Sequence, residues 1–191
     1  IYSWASIHAS PGTILAWCPD ALAPGFGWVL TNTKLLYVNL AAHTAVLKHT
    51  FATASSQRSI DARFDASSGY GIVVTSFYAG GVAVLYSTDN STFTETATIG
   101  TTGADKTHAC HVSTKVAGQA TIGAYQANNI AQGYRATGGY SSWSLLTNPL
   151  MTSRIEAITE LHCPWDANAA DALYYYSAIG LDSNAGRVWR T

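Results

Sequence analysis

Charge is scarce in this chain. Lys, Arg, Asp and Glu together make up 11% of its 191 residues, against roughly 25% in an ordinary soluble domain. Ser, Thr, Asn, Ala and Gly must therefore cover the surface. Such a coat is common in extracellular and virion proteins, so an extracellular or virion-surface setting is the expectation. The formal net charge is −1 and no basic stripe is present. Nucleic-acid binding is excluded on that ground, because it rests on clustered Lys and Arg neutralising phosphates. Cysteine is also sparse. Cys18, Cys110 and Cys163 form an odd set of three, which does not support a disulfide framework and reads as small buried hydrophobes. No signal peptide is visible. The apolar stretch from Gly71 to Tyr86 is too short to span a bilayer and is divided by Gly80-Gly81, so no membrane insertion is expected. A sustained 3.6-residue periodicity is missing, which predicts little helix. Nucleophile-elbow spacing, a Gly-rich phosphate loop and a close Cys-x-x-Cys pair are missing too. No cofactor is expected.

What the chain does have is a repeat. Four times, short apolar strands and a hairpin lead to an aromatic residue before a Ser/Thr/Asn/Gly turn, and a large apolar residue follows. The aromatics before the turns are Tyr37, Tyr86, Tyr134 and Trp189, spaced by 49, 48 and 55 residues. An all-strand repeat of about 40–50 residues is the signature of a β-propeller blade. The expected fold is thus all-β, a propeller with four four-stranded repeats near 9–50, 51–100, 101–150 and 151–191 plus 1–8. In the first repeat the strands fall at Thr13–Cys18, Gly27–Leu30, Lys34–Asn39 and Ala45–Thr50. In the second they fall at Ser59–Asp65, Ile72–Phe77, Val82–Tyr86 and Thr92–Ile99, with Gly80-Gly81 as a primed hairpin turn. The third repeat reads His108–Ser113, Ala120–Tyr125, Ala131–Ala136 and Ser142–Leu146. The last reads Ile155–Cys163, Ala172–Ser177 and Gly186–Arg190.

The last repeat lacks a fourth strand, and the segment around Trp4 supplies one. An N-terminal strand that completes the last blade hides two sheet edges that otherwise invite aggregation. Three arrangements stay open: a small closed ring, a half-ring completed by a second copy, or an excerpt from a longer chain. The start at Ile1, without methionine, favours the excerpt.

At Ser87-Thr88-Asp89-Asn90-Ser91-Thr92-Phe93 the chain resembles the Asp-box, or BNR repeat, whose common form is Ser-x-Asp-x-Gly-x-Thr-Trp. This version is one residue shorter, with Phe93 in place of the tryptophan. Thr137 to Trp143 looks like a copy that has lost the aspartate. The resemblance implies a propeller of the superfamily that holds sialidases, xyloglucan-degrading glycosidases, sortilin-type receptors and many phage propellers. It also implies structural roles for Ser87, Asp89, Phe93 and Trp143. The aspartate accepts N–H groups of its own turn, and the aromatic packs between neighbouring sheets, away from the ligand face.

Candidates for chemistry sit on the first strand of each repeat, which in propellers lines the central channel. Trp17, Arg63, His111 and His162 are the channel-lining ligand candidates, with Cys110 beside them. Arg58, Asp61, Asp105, Arg154 and Glu156 lie near strand ends. Ile60-Asp61-Ala62 and Ile155-Glu156-Ala157 match, which puts Asp61 and Glu156 at corresponding points of two repeats. A glycosidase needs such a carboxylate pair. The plainer expectation is that they pair with Arg58 and Arg154 at a solvated rim. The sialidase resemblance asks for three arginines from different blades. Arg58 or Arg63, Arg135 and Arg154 can be offered, but Arg135 sits at the Asp-box turn, on the wrong side. His108, Cys110 and His111 do not make a metal site, because alternation sends His111 to the opposite side of the strand from the other two. Asn90-Ser91-Thr92 matches a glycosylation sequon. Most of the 11 Tyr and 6 Trp, including Tyr174-Tyr175-Tyr176 and Trp165, are expected in the core.

These readings favour a non-enzymatic module that binds a glycan or a protein, or that serves as structure. The alternatives are part of a sialidase- or xyloglucanase-like glycoside hydrolase, and a self-assembling scaffold without ligand. A homo-oligomer of two half-rings is one form the assembly takes.

Overall fold

The computed structural model describes residues 12–55, 58–63, 69–78, 81–96, 99, 106–112, 117–125, 131–146, 155–162, 175–180 and 186–190. Their regular structure is entirely β, in four antiparallel sheets. The first holds β1 (Ile14–Pro19), β2 (Phe26–Thr31), β3 (Lys34–Asn39) and β4 (Thr44–Thr50). The second holds β5 (Arg58–Arg63), β6 (Gly71–Tyr78), β7 (Gly81–Ser87) and β8 (Thr94–Glu95). The third holds β9 (Lys106–Val112), β10 (Ala120–Tyr125), β11 (Ala131–Ala136) and β12 (Trp143–Leu146). The fourth holds β13 (Ile155–His162), β14 (Tyr175–Gly180) and β15 (Gly186–Arg190). Strands follow one another in chain order within each sheet. No helix among the described residues is long and apolar enough to cross a membrane.

β-branched and aromatic residues in alternation make these strands, and short polar turns end them. Lys34–Asn39, Ala120–Tyr125, Ala131–Ala136 and Gly186–Arg190 have the bounds the sequence predicts. Elsewhere the ends move. The last strand of the second sheet shrinks from Thr92–Ile99 to Thr94–Glu95, with an isolated bridge between Val82 and Ile99. Gly81 joins the ladder opposite Tyr78 instead of sitting in the turn. β14 starts three residues later than the expected Ala172. The N-terminal strand expected at 1–8 lies outside the described residues, as do Asp105, Arg154, Cys163 and Trp165.

The sheets stack through their first strands: β1 packs beside β5, β5 beside β9, and β9 beside β13. Among the described residues, packing of that extent does not return from β13 to β1. Two apolar clusters fill the gaps. Between the first two sheets, Trp28, Leu30, Leu35 and Phe51 meet Ala62, Ile72, Val74 and Leu85. Between the second and third, Val73, Val82 and Val84 meet Val112, Ala120, Ile122, Tyr134 and Ala136. Burial at 25 cal/mol per Å², roughly, makes each fully buried Val, Leu or Ile of these clusters worth about 1.5–3 kcal/mol.

Register corrects one detail of the repeat. Tyr37 and Tyr86 are true equivalents, each on the face its sheet turns toward the next: Tyr37 packs on Trp28 at 4.6 Å between ring centroids, and Tyr86 packs against the cluster of the third sheet. Tyr134 lies in that same cluster but comes from the opposite side, on the third sheet. The counterpart of Tyr86 is therefore one residue on, at Arg135. Spacing alone cannot detect this, because a slip of one residue exchanges the two faces of a strand.

Candidate functional site

The strand β5 reads Arg-Ser-Ile-Asp-Ala-Arg, and its alternation divides it cleanly. Ile60 and Ala62 face the first sheet, in its apolar cluster. Asp61 points the other way, toward β9, and is buried. One of its carboxylate oxygens accepts the backbone N–H of Val112 at 2.8 Å. Arg63 Nε donates to both oxygens, at 2.8 and 3.0 Å. His111 Nδ1 stands 3.6 Å from the same carboxylate. Next to it, Cys110 Sγ donates to the carbonyl of Val73 at 3.4 Å, again from the third sheet to the second. Burial pushes the Cys110 thiol well above its usual range, and the negative charge of Asp61 adds to the effect. Cys18 is raised for the same two reasons in the same order.

This group gathers residues of three neighbouring first strands. Asp61 does not stand at a solvated rim with Arg58, contrary to the plainer sequence expectation. It spans two sheets. A buried carboxylate must have its lone pairs filled, or it costs several kcal/mol. The Val112 N–H and Arg63 fill them here.

Arg58 has a different task. It is buried, its guanidinium carbon 3.5 Å from the centre of the Phe51 ring. Its Nη2 donates to the carbonyls of Asn32 at 3.0 Å and Thr53 at 2.9 Å, and Nη1 donates to Ser76 Oγ. Five donors in a rigid fork suit this work, because one side chain can bind the turn of one sheet and a strand of the next. Ser59 and Thr75 hydroxyls also bond to each other across β5 and β6.

The turn before β8 has the geometry that its residues imply. Asp89 Oδ1 accepts the N–H groups of Ser91 at 2.8 Å and Thr92 at 2.7 Å. Ser87 Oγ donates to the same oxygen at 3.1 Å. The two N–H bonds, Thr92's first, hold the Asp89 carboxyl far below the usual carboxylate range. Asn90 adopts φ +58°, a conformation Asn tolerates better than most residues. Its carbonyl accepts Lys48 Nζ of the first sheet at 2.9 Å. Phe93 stands edge-on to Trp28 across the gap, with centroids 5.9 Å apart. Trp143 packs into the next gap, and its Nε1 donates to the Tyr140 carbonyl at 2.8 Å. Below it, the Gly139 N–H donates to the Gly118 carbonyl at 2.9 Å. Gly118 has φ +63°, and a Cβ there would overlap the Gly139 backbone nitrogen.

The remaining sequence candidates are spread out. Trp17 lies on β1, across Gly27, on the side facing away from the second sheet, and is half exposed. Glu156 and His162 fall on β13, and the readings made of their side chains lie outside the described residues. Arg135 lies near the C-terminal end of β11, opposite Ser144. Among the described residues no cluster of three His, Cys, Asp or Glu could hold a metal. Two features escaped the sequence reading. Asp20 accepts the Tyr37 hydroxyl at 2.7 Å and the Leu22 N–H at 2.9 Å. Burial, then Asp20, raises the Tyr37 phenol well above its usual value. The Asp20–Tyr37 bond joins residues 17 apart, and nothing in the local pattern marks it. The second is an open hollow of about 390 Å³ lined by Thr13, Leu15, Asn32, Ala54 and Ser55. It lies at the end of the sheets opposite the Asp89 turn, and small polar turn residues leave no signal for it.

The chain matches no protein-family model and no curated protein. Several solved structures resemble it, among them these three. An ancestral GH74 enzyme matches with TM-score 0.64 at 14% identity, over 93% of this chain and 24% of that one. The extracellular domain of a putative one-component system from B. thetaiotaomicron matches with TM-score 0.50 at 13% identity, over 87% and 19%. The WD40 domain of SCAP from fission yeast matches with TM-score 0.50 at 12% identity, over 94% and 42%. The chain thus spans between about a fifth and two-fifths of the structures it resembles. At these identities the likeness concerns the fold, which is of the β-propeller type.

Proposed function

We propose that this propeller-type chain is a non-enzymatic module that binds a glycan or a protein in an extracellular or virion-surface setting. One observation carries the reading. Each carboxylate whose side chain is described is already occupied by the architecture. Asp20 holds Tyr37 and its own turn. Asp61 joins β5 to β9. Asp89 holds the turn before β8, and Glu95 stands 3.7 Å from His49 of the neighbouring sheet. A hydrolase acid or nucleophile must face the substrate with lone pairs or a proton to offer. The sparse charge of the chain supports the setting.

The runner-up is part of a glycoside hydrolase, favoured by the likeness to the ancestral GH74 enzyme. Asp61 and Glu156 are then the carboxylates to test. The discriminating experiment incubates the chain with soluble β-glucans and sialylated glycoconjugates, and measures sugar release together with binding by calorimetry. The module reading expects saturable binding to a glycan or to a protein ligand, with no release. Release that disappears in folded Asp61→Asn or Glu156→Gln establishes the hydrolase instead. Neither binding nor release leaves the scaffold.

A further inference from the structure

We propose that Arg63 is a preset docking point for a carboxylate group on a ligand. A guanidinium carries its N–H donors in a rigid fork. Arg58, at the other end of β5, commits both terminal nitrogens to the protein: to Ser76 and to the carbonyls of Asn32 and Thr53. Arg63 commits only its Nε, which donates to the two oxygens of Asp61 at 2.8 and 3.0 Å. Its two terminal nitrogens meet no partner among the described residues, and the side chain is 43% exposed. Across the ladder Arg63 stands opposite Gly71, so its cross-strand neighbour has no side chain to cover the fork.

What separates this arginine from an ordinary surface cation is how it is held. A solvated arginine loses rotamer freedom when it grips an anion. Here that freedom is already lost on folding. Asp61 is buried, and the Val112 N–H of the next sheet fixes one of its oxygens at 2.8 Å. Asp61 in turn fixes the guanidinium through Nε. His111 Nδ1 stands 3.6 Å from the same carboxylate, so Asp61 is shared among three groups. The edge of the guanidinium left over is the one between the two terminal nitrogens. Its parallel N–H groups match a carboxylate with two hydrogen bonds. Asp61 sits at the inner edge, so a phosphate dianion meets more repulsion there than a singly charged carboxylate does. Ile72, next to Gly71, pairs with Ser87 at the start of the Asp89 turn. The site thus lies at the end of the sheets that bears this turn, opposite the hollow at Thr13 and Ser55. That is away from the face where the Asp-box resemblance places ligands. The site rests on the binding reading for its ligand, and names the charge of one group on that ligand.

Titration with sodium acetate and with sodium D-glucuronate, at pH 7 and constant ionic strength, tests it. Two-dimensional proton–nitrogen NMR follows the Arg63 Nε–H and the Val112 N–H. Acetate should shift both resonances saturably. Tighter binding of glucuronate supports a site for an acid carried on a sugar, and equal binding supports recognition of the carboxylate alone. Arg63→Lys keeps the charge and loses the fork, so it should weaken binding, read at Val112, about tenfold. If Arg63→Lys fails to fold, Arg63→Gln takes its place. The absence of a saturable shift with either probe overturns the proposal. So does binding that a folded Arg63 variant leaves unchanged, or inorganic phosphate that binds more tightly than acetate. The glycan and protein ligands of the functional assay take no part in this readout. Carboxylate binding without any such ligand keeps the site and removes the module, and ligand binding without carboxylate binding does the reverse.

Discussion

Replacing Asp61 separates architecture from catalysis. In Asp61→Ala the Val112 N–H, now satisfied at 2.8 Å, stays buried without an acceptor. That loss is worth about 1–3 kcal/mol. The Arg63 side chain is 43% exposed and returns to water, so the broken ion pair adds only about 0–1 kcal/mol. The sum is about 1–4 kcal/mol. For a chain of this length each kcal/mol moves Tm by about 2–4 °C, so the expected fall is about 2–16 °C. Asparagine keeps a carbonyl for Val112 and should lose about half as much. Arg63→Ala leaves the N–H bond in place and should fall between wild type and Asp61→Ala. Thermal melts by circular dichroism and urea titrations at pH 7 measure all three. Two results refute the reasoning. One is an Asp61→Ala protein that melts with wild type. The other is Arg63→Ala as damaging as Asp61→Ala, which would place the energy in the ion pair instead of the buried N–H.

Three further outcomes follow from the geometry. Asp89 binds its proton less readily folded than unfolded, so its stabilisation is present above the ordinary aspartate pKa, near 4, and fades as the pH falls below it. The stability gap between wild type and Asp89→Ala, measured by urea titration, should therefore be constant from pH 5 to 7 and narrow in stronger acid. Phe93→Ala removes a partly buried ring that meets Trp28 across the first gap, and should cost about 2 kcal/mol in the same assay. Gly118→Ala must fit a Cβ at φ +63° against the Gly139 backbone, and should cost about 1–3 kcal/mol. An alanine variant as stable as wild type would show that this pair of turns is not in contact.

What could be read from the chain depends on how far apart the partners are. Asp89 meets Ser91 and Thr92, two and three residues away, and the Ser-x-Asp pattern around it states that chemistry openly. The strands were legible for the same reason, since alternation and turn residues are local. Asp61 meets Val112 across 51 residues. Read locally, it is one carboxylate with Arg58 three residues before it, and the pairing at a solvated rim was the natural expectation. Arg58 is in fact committed to Asn32 and Ser76, 26 and 18 residues away. The face of each aromatic was hidden for another reason. The turns that join the third and fourth strands differ in length: the pairs that frame them are Asn39 with Thr44, Tyr86 with Thr94, and Ala136 with Trp143. A repeat counted from aromatic to aromatic absorbs that difference silently, and with a period of two a single residue inverts the side chain. Tyr134 is the result: a correct repeat, a correct strand and the opposite face. Register therefore has to be known before a surface can be compared between repeats, and it is register that matches Leu47 to Glu95. That match sets an exposed leucine, unremarkable by itself, where the second sheet carries a glutamate that reaches His49 of the sheet before it.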